Sequence, residues 1–116
     1  IAINIPTIPS PNTAIVEAPA NPDRFALESN YPNPFNASTL ITYSLPTKNR
    51  AIVELVIYNV LGQKVRHLLR QEQAAGTYQM AWDGRDDQNK SLTSGVYLVS
   101  LRTGALHKTQ KILLLR

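Results

Sequence analysis

The chain has 116 residues, enough for one domain with one real core plus a tail. It has no cysteine, so a disulfide framework and a thiolate metal site are excluded, and packing alone must hold the fold. Twelve Lys and Arg against eight Asp and Glu give a net charge of +4, and no apolar run approaches the roughly 20 residues of a membrane span. Five of the eight prolines, Pro6, Pro9, Pro11, Pro19 and Pro22, lie in residues 1–23. That composition suits a semi-extended linker, with Ile1, Ile3, Ile5 and Ile8 able to pack on the domain or end a preceding one. The first residues lack the basic region of a signal peptide, so the chain reads as a piece of a longer polypeptide. The domain is expected to span residues 24–116.

Arg24 to Glu28 is a short candidate strand with Phe25 and Leu27 on one face. Pro32 and Pro34 cannot donate ladder hydrogen bonds, so the segment after it is a shaped loop. Tyr31 and Phe35 are both expected to fold onto the core. Asn36-Ala37-Ser38 matches a glycosylation sequon, a match short enough to arise by chance. Leu40 to Leu45 alternates, with Ile41, Tyr43 and Leu45 inward, and Pro46 ends it. Thr47 to Arg50 makes the turn. Ala51 to Tyr58 is rich in β-branched residues, with Val53, Leu55 and Ile57 on one face. Asn59 to Gly62 turns the chain. Gln63 to Arg70 contains good helix formers, but its neighbours on both sides are strands, and strand is favoured. Gln71 to Ala75 is expected to be loop.

The segment from Gly76 to Arg102 organises the rest. Tyr78, Met80 and Trp82 alternate with Thr77, Gln79 and Ala81, the period of a strand with one buried face. Tyr97, Val99 and Leu101 do the same. A polar loop through Gly84 and Asn89 joins them as a central hairpin. Trp82 is the only tryptophan and the expected core anchor. Gly104 then makes a tight turn. Ala105 to Leu115 is the final strand, with Ile112 and Leu114 inward. About seven short strands with turn signals every 8–12 residues predict an all-β, Ig-like sandwich of antiparallel strands.

No catalytic constellation is visible. His67 and His107 are far apart in sequence, each in a basic, unclustered setting. There is no Gly-rich phosphate loop, G-x-S-x-G or H-E-x-x-H. Asp83, Asp86, Asp87 and Asn89 offer oxygen ligands of the kind calcium takes, but not at EF-hand spacing. Turn shaping through their own backbone is the expectation, with no metal and no cofactor. No acidic residue follows Asp87, while Lys90, Arg102, Lys108, Lys111 and Arg116 do. These positives are spread singly with no stacking aromatics, so a solvated strand face is expected and nucleic acid is not.

Several segments in order, YPNPFNAST, VELVIYNVLGQKV, AGTYQMAWDGRD, SGVYLVSLRTG and KILLLR, resemble the C-terminal sorting domain of type IX secretion cargo, type A subclass. They are also similar to the Ig-like domain of the flagellar hook-cap protein, ranked second because that domain does not usually end a chain after a Pro-rich linker. The resemblance covers about residues 25–116. It implies a non-catalytic address on the end of a secreted or cell-surface cargo. Its partners would be the outer-membrane type IX machinery, a sorting protease that removes the domain, and the fused upstream cargo, with lipopolysaccharide attachment afterwards. Carried over by position, the recognition residues are Pro32, Asn33, Pro34, Phe35, Gly95, Tyr97 and Lys111, and the basic terminal residue Arg116 is added to them. Tyr58, Asn59, Leu61, Gly62, Gly76, Trp82, Asp83 and Gly84 complete the motifs. Ala37 stands where the family often has Pro, and Asn89 where it often has Gly. Lys111 and Arg116 are expected to point away from the core and contribute little to stability. A spacer or carbohydrate-binding module of a modular hydrolase is the other reading. A sugar face needs several exposed aromatics, and alternation places Trp82, Tyr43, Tyr78 and Tyr97 inward.

Overall fold

The structure, a computed structural model, describes residues 24–46 and 51–116. The expected linker 1–23 and the turn 47–50 lie outside the described residues. Seven strands form two antiparallel sheets: β1 (Ala26–Leu27), β2 (Thr39–Leu45), β3 (Ile52–Tyr58), β4 (Lys64–Glu72), β5 (Gly76–Trp82), β6 (Gly95–Thr103) and β7 (Leu106–Leu114). One sheet has the order β1-β2-β5, the other β4-β3-β6-β7. This is the expected Ig-like β-sandwich.

The alternation sets the core. Ile41, Tyr43 and Leu45 from β2 face Val53, Leu55 and Ile57 from β3 and Val99 and Leu101 from β6, all buried. Ile112 and Leu114 of β7 are fully buried, as the sequence predicts. Trp82 is fully buried between two aromatics, with ring centroids 5.4 Å from Phe35 and 5.6 Å from Tyr97. Its indole Nε1 donates to Arg85 O at 3.0 Å, so the polar end of the ring is satisfied. Tyr43 stacks on the half-buried Tyr78 at 5.5 Å and donates its hydroxyl to Gln73 Oε1 at 2.7 Å.

Three expectations are corrected. First, β5 and β6 are not a hairpin. They lie in different sheets, and residues 83–94 carry the chain across the end of the sandwich. Each strand still buries one face, which is all that alternation reports. Second, β4 runs on to Glu72, because Gln71 and Glu72 pair with Val53 and Ile52. Third, Tyr31 does not fold onto the core. It exchanges backbone hydrogen bonds with Leu40 at 3.0 and 2.8 Å, and this rung leaves the Tyr31 side chain 80% exposed. Phe35 alone fills the core position.

The register also fixes the two ends. Ala26 pairs with Ser44, and Gly76 with Leu45, at one end of the three-stranded sheet; Thr39 pairs with Trp82 at the other. Residue 24 therefore enters at the end opposite Trp82 and the loop that follows it.

Candidate functional site

Arg116 lies where the sequence motifs meet. Its Nε donates to Leu92 O at 2.6 Å, its Nη2 to Gly84 O at 2.7 Å, and its Nη1 to Asn36 O at 3.4 Å. Its backbone N–H donates to Ser94 Oγ at 2.8 Å. A planar guanidinium with five donors suits this task, and an ammonium does not. One side chain thus ties the loop after Phe35, the loop after Trp82 and the approach to β6. Arg116 is exposed, as expected, but its side chain folds back onto three backbone carbonyls instead of standing free in solvent. Three carbonyls from two loops converge on it, and Gly84 O accepts from Leu92 N at 2.9 Å as well.

The first loop is bound to β7 beside that clamp. Phe35 N donates to Leu113 O at 3.0 Å, and Leu115 N donates to Phe35 O at 2.8 Å. Asn33 Oδ1 accepts from Leu113 N at 3.0 Å. These bonds occupy the outer edge of β7 at its end. Pro32 O accepts from Thr39 Oγ1 at 2.8 Å and from Asn30 Nδ2 at 3.2 Å. Pro34 sits exposed between Asn33 and the buried Phe35. Gly95 opens β6, and Tyr97 donates its hydroxyl to Thr93 O at 2.7 Å. Such a bond back to the start of the strand is the tyrosine corner of β-sandwiches. Lys111 is exposed on β7. Pro32, Asn33, Phe35, Tyr97 and Arg116 therefore meet at one end of the sandwich through direct bonds or burial, Gly95 pairs there with Leu114, the exposed Pro34 lies between bonded neighbours, and Lys111 stands beside them on the sheet.

The loop from Asp83 to Lys90 is built from its own polar groups. Asp83 Oδ1 accepts from Arg85 N at 3.1 Å. Asp86 Oδ1 accepts from Gln88 N and Lys90 N, both at 2.9 Å. Asn89 takes the left-handed conformation, φ 67°. Asp87 reaches β4 instead. Its N–H donates to Val65 O at 3.0 Å, and its carboxylate accepts from His67 N–H at 2.9 Å and meets His67 Nδ1 at 2.7 Å. It closes part of the outer edge of β4 as a neighbouring strand would. The His67 N–H, then the imidazole, hold the Asp87 carboxyl below its ordinary value. Among the described residues no group of three or more His, Cys, Asp or Glu side chains is arranged to hold a metal. His107 Nε2 pairs with Ser100 Oγ at 2.8 Å, on a different strand pair from His67.

Residues that the sequence reading missed are Asn30, Thr39, Leu92 and Ser94. Asn30 and Thr39 are buried and bonded to each other at 2.8 Å, and both hold Pro32 O. Asn30 Oδ1 has no hydrogen-bond partner among the described residues. The one available signal is position: Asn30 directly precedes YPNPFNAST, Thr39 ends it, and Ser94 begins SGVYLVSLRTG.

The family comparison agrees with this architecture. The family model of the FlgD Ig-like domain matches residues 33–105. The chain belongs to the FlgD Ig-like domain family. This is the hook-cap relative, ranked second in the sequence, and a family that is typically non-catalytic. Among solved structures the chain is similar to PorZ of Porphyromonas gingivalis, described as an essential bacterial surface component of the type-IX secretion system. That similarity is 21% identity over 79% of this chain and 11% of that one, with a TM-score of 0.46. No curated protein matches. No described helix is long and apolar enough to cross a membrane.

Proposed function

We propose that this domain is a non-catalytic sorting module that directs a fused upstream cargo through type IX secretion to the cell surface. The motif resemblance names the system. The observation that carries the reading is the convergence on Arg116: motif segments up to 80 residues apart meet at one sandwich end. Residue 24 enters at the opposite end. A cargo fused upstream would leave the motif end free for a receptor. The machinery and the sorting protease are the partners in this reading, and recognition is between folded protein surfaces.

The sugar-binding alternative finds little support. Trp82, Tyr43, Tyr97 and Phe35 are buried, and Tyr31 is the one largely exposed aromatic among the described residues. A sugar face needs several.

The experiment fuses residues 1–116 to the end of a reporter carrying a signal peptide, in a host with the type IX machinery. A second reporter carries an unrelated Ig-like sandwich of similar size. Surface and medium delivery is expected for the first fusion alone. Retention of both in the periplasm, with the domain folded, removes the sorting reading and leaves a spacer.

A further inference from the structure

The outer face of the four-stranded sheet changes character along its length. Val53, Leu55 and Ile57, and Tyr97, Val99 and Leu101, point into the core. Their alternate neighbours therefore stand on the outer face, where no described strand packs. The register places Lys64, Tyr58, Leu98 and Lys111 side by side across all four strands. Val96 pairs with Leu113 in the next row toward the motif end. Tyr58, Leu98, Val96 and Leu113 are half-buried, and the two lysines are exposed. Adjacent strands lie about 4.8 Å apart, so the lysine backbones stand roughly 14 Å from each other. Neither lysine makes an ion pair among the described residues. The carboxylates of this face are farther up the strands, where Glu54 is held by Arg70 at 3.0 Å.

We propose that this row is a docking surface for a protein whose contact patch is apolar at its centre and carries a carboxylate on each side. The proposal rests on the sorting reading and names the surface by which the machinery would hold the domain. Three arguments select that occupant. Interfaces keep an apolar centre with an aromatic and place charge at the rim, which is the order across this row. A second copy of the chain is disfavoured, because isologous pairing across the row brings lysines against lysines. A bilayer takes up protruding apolar groups, and the protrusion here is the Val60–Leu61 turn, 70% and 79% exposed, not the flat row.

The test uses the full chain fused behind the reporter. Three variants are compared: Lys64→Glu with Lys111→Glu, Lys64→Arg with Lys111→Arg, and Leu98→Ser. The same domains without reporter are assayed for melting temperature, for sedimentation as monomer or dimer, and for flotation with phosphatidylcholine–phosphatidylglycerol vesicles. The charge reversal is expected to cut export about tenfold or more, because opposed like charges repel a partner, while melting is unchanged. The arginine pair should retain export, and Leu98→Ser should lower it. Export of the charge reversal at the parent level overturns the docking surface and leaves the sorting reading standing. Flotation or dimerisation that the charge reversal abolishes overturns it in favour of a membrane or a second copy. If the parent fusion is itself not exported, the sorting reading fails and this inference fails with it.

Discussion

Arg116 Nη2 donates to Gly84 O at 2.7 Å, and a Cβ built on Gly84 would stand 2.7 Å from that same nitrogen. Gly84 also has φ +72°, a backbone that side-chain-bearing residues rarely adopt. Its missing side chain is thus required twice, by the turn and by the clamp.

Gly84→Ala is expected to cost roughly 1–3 kcal/mol from backbone strain alone, with the displaced guanidinium adding to it. Arg116→Ala should also lower the melting temperature, by less, because the guanidinium is solvent-exposed and its bonds compete with water. Arg116→Lys should recover only part of that loss, since an ammonium cannot bridge Leu92 O, Gly84 O and Asn36 O together. The decisive measurement is the double mutant. Gly84→Ala should cost less in the Arg116→Ala background, because the close approach is gone. Strict additivity would show that the two residues do not share one constraint.

Trp82 joins loop, β5 and β6 through Phe35 and Tyr97. Its emission should be blue-shifted and poorly quenched by iodide. Trp82→Ala is expected to cost about 3–5 kcal/mol, a large share of the roughly 5–15 kcal/mol of a domain. Red-shifted, readily quenched emission from the folded protein would contradict the burial.

Stability should fall at both pH extremes for different reasons. The folded-state pKa of Asp87 is depressed by His67. Its contribution is therefore present above the unfolded value of about 3.9 and is lost as pH falls through the folded value. Asp87→Asn should melt lower than the parent at pH 6, and the gap should narrow in acid. Burial raises the Tyr43 phenol to about 12, partly offset by its bond to Gln73. That contribution is whole below the unfolded value of about 10 and is lost as pH climbs through the folded value. Tyr43→Phe should flatten the alkaline limb. Melting curves of both variants across pH 3–12, roughly the span of the two groups, would settle each sign.

Calcium should not raise the melting temperature relative to chelator. Asp86 Oδ1 already accepts two backbone N–H groups, and the Asp87 carboxylate is taken by His67. A large calcium-dependent rise would require those bonds to be exchanged for metal, because a ligand of the native state must stabilise it.

Strands and their faces could be read from residue order alone. Ile41, Tyr43 and Leu45, Val53, Leu55 and Ile57, and Tyr97, Val99 and Leu101 were legible because a strand buried on one side must alternate every second residue. The turn at Gly62 and the loop through Asp83 and Asn89 were legible for a similar reason, since their chemistry is local. What those faces met depends on how the strands are arranged in three dimensions. Alternation says that β5 and β6 each bury one side. It carries no information on which sheet receives them, so a hairpin and a crossover read alike. Phe35 and Tyr31 are both aromatic residues of one loop, and the backbone rung with Leu40 separated them. Arg116 reads as a surface charge until the carbonyls of Asn36, Gly84 and Leu92 are brought to it from two segments distant in the chain. The lysine row exists only through register, because Lys64 and Lys111 are neighbours across a sheet and strangers along the chain.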